Sequence, residues 1–152
     1  MIPMIEQRRI EAELVRDFYT VLCKSMSKPE AQEIIREAIA SSAIRQGKAY
    51  AKAVGHAPDL EDFASHSGAW DANNALERKM LHAAPEQLDY NITRCEYATM
   101  YKDMGLQEIG HLLSCNRDAA FCEGYSQDMA LTRTQTIMDG AAYCDFRYRM
   151  KP

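Results

Sequence analysis

The chain has 152 residues, of which 26% are charged and 47% hydrophobic, and a formal net charge of −4 at pH 7. That length suits a single domain, residues 1–152, burying about two thirds of its unfolded surface, and the interspersed charges form no basic stripe of the kind that binds nucleic acid. An odd cysteine count, the lack of a secretory leader and the lack of any apolar run of membrane-spanning length lead us to expect a soluble cytoplasmic protein with reduced thiols and no membrane partner.

Residues 5–24 carry Ile10, Leu14, Phe18 and Val21/Leu22 at helical spacing, which predicts an amphipathic helix. Ser27-Lys28-Pro29-Glu30 then supplies an N-cap serine, an early proline and a Glu three residues after the cap. A second helix follows and Gly55 closes it, so residues 1–55 read as a helical hairpin whose apolar edge covers a sheet or a second subunit. A homo-oligomer through these helices is one expectation.

Residues 56–70 are broken by Pro58 and Gly68, predicting a short helix and then a loop. Residues 74–152 are expected to form an antiparallel sheet with inserted short helices that carry the site. One hairpin turns at Pro85-Glu86, with Leu88, Tyr90 and Ile92 alternating on its second arm. Short helices are expected at residues 97–104 and 106–114, either side of Gly105, and a turn or helix at 118–124. Residues 131–149 read as a C-terminal hairpin with Asp139-Gly140 in its turn and Cys144, Phe146 and Tyr148 alternating with Asp145, Arg147 and Arg149. The fold expected is α+β, with N-terminal helices packed on a small antiparallel sheet of about four strands ending in that hairpin. The site should lie between the sheet's charged face and the helices of residues 106–124.

Side chains capable of reaction concentrate after residue 94. His111 and Cys115 stand four apart, a spacing that on one helix lets the imidazole take the thiol proton. Cys23 and Cys122 read as small core residues, whereas Cys144 has charged neighbours in Asp145 and Arg147. No Cys-x-x-Cys pair argues for a metal, and no phosphate-binding glycine motif or Gly-x-Ser-x-Gly elbow is present, so no cofactor is expected. Asp118 and Asp145 have structural readings as well, as a helix cap and as a partner for Arg133 across the hairpin.

The ordered run from Thr93-Arg94-Cys95-Glu96-Tyr97, through Met104-Gly105-Leu106 and Cys115-Asn116-Arg117-Asp118, to Arg133-Thr134-Gln135-Thr136 and residues 140–148 resembles the L-2-amino-thiazoline-4-carboxylic acid hydrolase family. It covers about the last 60 residues of the chain. The resemblance implies a small bacterial protein that opens a thiazoline ring to give N-carbamoyl-L-cysteine. Such a ring is a cyclic isothiourea whose C2 needs a nucleophile and whose departing sulfur needs a proton. On that reading Cys115 or Cys144 attacks, Asp118, Asp145 and His111 handle protons or the amidinium nitrogens, and Arg133, Thr134 and Arg147 bind substrate, with Arg133 holding the carboxylate. A second reading of the same residues is a small-molecule binding or sensor module that breaks no bond.

Overall fold

Pro85-Glu86 forms a two-residue turn across which Ala84 faces Gln87, and it joins the first two strands of the sheet. In the computed structural model, which describes residues 1–152, β1 (Leu76–Ala84) pairs antiparallel with β2 (Gln87–Cys95). β2 pairs with β4 (Cys144–Met150), and β4 with β3 (Met129–Thr132), giving the order β1-β2-β4-β3 with every neighbour antiparallel. The expected α+β architecture with a four-stranded sheet and a C-terminal strand hairpin is therefore present.

That last hairpin differs from expectation in its first arm, which ends at Thr132 opposite Arg147 and does not continue along the Thr-rich segment. The backbone N–H groups of Thr134 and Gln135 each donate to the Asp145 carboxylate at 2.9 Å, which takes them out of the ladder. Thr136 caps a 3₁₀ turn at Ile137–Asp139, and Gly140 closes it at φ +99°, a conformation that favours glycine. The chain re-enters the sheet at Cys144.

Alternation gives the sheet two unlike faces. Leu88, Tyr90 and Ile92 of β2 lie directly opposite Tyr148, Phe146 and Cys144 of β4, and all six are buried. Asp145, Arg147 and Arg149 point the other way, and Asp89 pairs there with Arg149 at 2.5 Å.

The helices cover the apolar face. α1 (Met4–Leu22) is followed by α2 (Lys28–Val54), which starts at the expected Ser27/Glu30 capping box and ends at Gly55 in the left-handed conformation. α3 (Leu60–Asp71) runs on through Gly68 and Trp70 where a loop was expected, because Asp59 and Asp62 form a second capping box at its start. α4 (Glu96–Asp103), the short α5 (Gly110–Leu113) and α6 (Cys115–Tyr125) connect β2 to β3. No helix is long and apolar enough to cross a membrane.

Of the two expected uses of the α1 stripe, covering the sheet is not the one found. The stripe of Ile10, Leu14, Phe18 and Val21 is 50–61% exposed, while Arg8, at 3% exposure, and Ala12 are buried. Ile5, Val15, Tyr19 and Leu22 provide the rest of the packed side, against a cluster built on Tyr97, Tyr101, Ile109 and Leu112. The stripe does not cover the sheet; α2, α3 and α6 do that.

α2 and α6 approach until backbone meets backbone. A Cβ on Gly47 would fall 2.3 Å from the Phe121 carbonyl oxygen, and one on Gly124 would fall 2.1 Å from that of Ile44. Both glycines are in helices, where Ala is intrinsically better by about 0.5–1 kcal/mol, so only the close approach accounts for them. Gly47→Ala and Gly124→Ala are each expected to lower unfolding free energy in urea by about 1–3 kcal/mol or more, because rigid backbone has to move. Gly68→Ala, with nothing within 4 Å of the added carbon, should instead gain about 0.5–1 kcal/mol. Equal effects at all three glycines would contradict the close-contact assignment.

Candidate functional site

Between the apolar face of the sheet and α1, α3 and α6 lies a cavity of about 100 Å³, enough for several waters or a small ring. Its walls are mostly apolar and aromatic, with Phe63, Trp70, Phe121, Phe146 and Tyr148 among them. Charged and thiol groups break this lining in a limited region: Arg8, Arg78, Arg117, Arg133, Asp118, Cys95, Cys115 and Cys144. The cavity lies under the face opposite the charged one where the site was expected, because Cys144, Phe146 and Tyr148 point inward while Asp145 and Arg147 point out.

α6 supplies the centre of the polar region. Cys115 and Asp118 are three apart on one helix, so both side chains fall on the side facing the cavity. Arg133, in the segment that leaves β3, donates from Nη1 to Asp118 Oδ2 at 2.5 Å and from Nη2 to the Cys115 carbonyl at 3.2 Å. Its guanidinium carbon stands 5.1 Å from the Phe146 ring centroid. Arg78 approaches from β1, next to a register irregularity between Glu77 and Arg78. It lies 4.1 Å over the Tyr90 ring and donates to Ser67 Oγ at 3.0 Å and Asp71 Oδ1 at 2.7 Å.

Low polarity sets the protonation of these groups. Asp118 retains 33% side-chain accessibility and lines the cavity among mostly apolar groups. Desolvation there holds its carboxyl above the ordinary 3.8, although Arg133 pulls it back down. The thiols move the same way: burial pushes Cys95 up to about 11, and Cys115 and Cys144 also rise, each further raised by the Asp118 charge. Arg133 lowers Cys115 and Cys144 without overcoming burial. No group of three or more His, Cys, Asp or Glu is arranged to hold a metal ion.

Of the residues singled out in the sequence, Cys115, Cys144, Asp118 and Arg133 line the cavity together. Cys144 Sγ also accepts the Ile137 N–H at 3.2 Å. Asp145 stands outside as the acceptor for Thr134 and Gln135, so it does not meet Arg133, and Thr134 Oγ1 donates to it at 2.5 Å. Arg147 is spent on the Tyr90 and Phe146 carbonyls and Asn91 Oδ1. His111 does not share a helix with Cys115, because the chain kinks at Ser114 (φ −126°, ψ −61°) between α5 and α6, and the imidazole lies outside the lining. Sequence reasoning missed Arg8 and Arg78, and it picked out Cys95 as a reactive side chain and Arg117 as part of a family motif without assigning either a role. The adjacent Arg8-Arg9 pair gives no sign of which one turns inward.

This architecture is an α+β domain whose sheet and helices form a cavity carrying a half-buried ion pair and three thiols. The chain belongs to the L-2-amino-thiazoline-4-carboxylic acid hydrolase family, whose sequence model matches residues 7–148. No curated protein matches it. Among solved structures it is similar to a trafficking protein particle complex subunit 3 from Naegleria fowleri covalently bound to palmitic acid. That likeness has 9% identity, a TM-score of 0.55 and 96% coverage of each chain. It is also similar to the phenol-responsive sensory domain of the transcription activator PoxR with phenol, at 8% identity and a TM-score of 0.58, over 99% of this chain and 76% of that one. At these identities the likeness is one of fold.

The thiol environment has a direct chemical consequence. With Cys95 at about 11 against an ordinary 9.0, its thiolate at pH 8 is about 100-fold scarcer than that of a free cysteine. Iodoacetamide at pH 8 is expected to label Cys95, Cys115 and Cys144 at least about tenfold more slowly in the folded protein than in urea, as followed by peptide mass spectrometry. Labelling of Cys115 at the unfolded rate would contradict this electrostatic picture.

Proposed function

We propose that the protein hydrolyses a small cyclic amidine or isothiourea such as L-2-amino-thiazoline-4-carboxylate, with Cys115 as nucleophile and Asp118 as proton carrier. One observation carries the reading: Cys115 and Asp118 share the cavity side of α6 with the carboxylate already fixed by Arg133. Family membership supports the reaction class.

Cys115 is the better placed of the two candidate thiols because its neighbour is a base. With Asp118 beside it on the cavity side of α6 to take the proton as the nucleophile attacks, no resting thiolate is required. In the first step the Sγ–C2 bond forms while the thiol proton passes to Asp118. The C2–S ring bond breaks, and the ring sulfur leaves as a thiol carrying that proton. In the second step water adds to C2 with its proton going to Asp118, the C2–Sγ bond breaks, and Cys115 recovers the proton. The product is N-carbamoyl-L-cysteine. Cys144 forms the wall beside them, held by the Ile137 N–H.

A binding or sensor role without chemistry is the second reading, favoured by the upward shift of the cavity thiols. The two fold neighbours are described with palmitic acid and phenol, which agrees with a family of folds that enclose apolar ligands.

Incubation with L-2-amino-thiazoline-4-carboxylate and detection of released thiol by mass spectrometry separates the two. The wild type should turn over, Cys115→Ser should lose at least about 10³-fold and Asp118→Asn about 10²- to 10⁴-fold. Full turnover by Cys115→Ser would sink the nucleophile assignment, and no turnover by folded wild type would leave the binding role.

pH dependence follows from the Asp118 environment. The ionised carboxylate is the active form and burial raises its pKa, so kcat/KM should fall with decreasing pH around a value above 3.8, and Asp118→Asn should lack that limb. An acid limb at or below the ordinary aspartate value would contradict it.

A further inference from the structure

We propose that the cavity selects ligands bearing a carboxylate and that Arg8, from α1, is the residue that binds it. This deepens the reading above and rests on the same cavity. Arg133 has the wrong commitments for the task, since its guanidinium is taken by Asp118 and the Cys115 carbonyl. Arg147 lies on the other face of the sheet.

Arg8 is 3% exposed and lines the cavity. Its Nη1 donates to both Glu11 oxygens, at 3.0 and 2.9 Å, while its Nη2 is buried with no hydrogen-bond partner. A buried guanidinium nitrogen left unpaired is costly, and such groups are ordinarily satisfied. The same Glu11 also accepts from Arg117 Nη2 at 3.0 Å, so two guanidiniums share one carboxylate. Arg117 responds to the crowding: burial first, and then the Arg8 charge, bring it down to about 10.

The remaining charges do not cancel this surplus. Arg133 is matched by Asp118 and Arg78 by Asp71, leaving one positive charge in excess around the cavity, at the Arg8 and Arg117 pair. Arg78 adds a second orphan, a buried Nε without a partner. A small anion in the cavity offsets that charge, and a carboxylate is the anion a guanidinium binds best, accepting from it in two parallel bonds. On this view α1 is part of the site, through an arginine on its packed side.

The test uses a ligand pair that cannot be hydrolysed, thiazolidine-4-carboxylate and thiazolidine, with binding measured calorimetrically on the full chain. The wild type should bind the acid about 10- to 100-fold more tightly than the neutral ring. Arg8→Gln should abolish that preference, and Arg8→Lys, which retains charge without the fork, should keep part of it. Equal binding of both rings by the wild type, no binding of the acid at millimolar concentration, or an undiminished preference in Arg8→Gln overturns the proposal. Should Arg8→Gln fail to fold, the wild-type comparison and Arg8→Lys decide. Turnover is scored separately: a retained acid preference without hydrolysis of the thiazoline would remove the enzymatic reading and leave Arg8 in place.

Discussion

Gly47 and Gly124 let α2 and α6 touch through their main chains, and the position of everything on α6 follows from that contact. α6 is short, from Cys115 to Tyr125, and begins at a kink with no side-chain cap, so it has little to hold it on its own. Pressed against the 27-residue α2, it acquires a fixed depth over the sheet. Phe121 and Tyr125 then pack against Phe63 and Tyr148, with ring centroids 5.0–6.0 Å apart within that group. One turn further back, the same helix places Asp118 and Cys115 at the cavity. A side chain at either glycine would lift that helix, and the ion pair between Asp118 and Arg133 would lose its geometry.

The second constraint is electrostatic. An apolar chamber that contains guanidiniums and a carboxylate has to pair them, because an isolated charge in such surroundings is costly. Arg133 answers Asp118, Asp71 answers Arg78, and Glu11 answers both Arg8 and Arg117. The same low polarity that requires the pairing also keeps the thiols protonated and raises Asp118. The proposed reaction accordingly uses concerted proton transfer between neighbours on α6 rather than a resting thiolate, and the proposed anion preference rests on the charge imbalance at Glu11.

Local chemistry was well written into the sequence. Ser27 and Glu30 announced the start of α2, Gly55 its end, and the alternation through residues 144–149 the inner and outer faces of β4. Family motifs brought Cys115, Asp118, Arg133 and Cys144 to attention, and these four share the cavity. Features that depend on distant partners were hidden. The stripe Ile10, Leu14, Phe18 has the spacing of a buried face, yet burial of α1 is decided by Arg8 and Ala12 meeting groups of α4, α5 and α6 far along the chain. His111 and Cys115 have helical spacing, and only the Ser114 kink, where Ser114 Oγ meets Tyr101 Oη at 2.6 Å, separates them. Asp145 looked like a partner for Arg133, but the free backbone N–H groups of Thr134 and Gln135 claim it first.

The claim that binds fold, electrostatics and chemistry together is that Cys115 bonds to C2 of the substrate during turnover. Quenching the wild-type protein with acid in the steady state with L-2-amino-thiazoline-4-carboxylate, and then mapping the adduct by peptide mass spectrometry, tests it directly. The account predicts protein heavier by one whole substrate, the ring opened and the mass carried on Cys115 alone. Turnover with no adduct on any cysteine, or an adduct on Cys95 or Cys144 in place of Cys115, would contradict it.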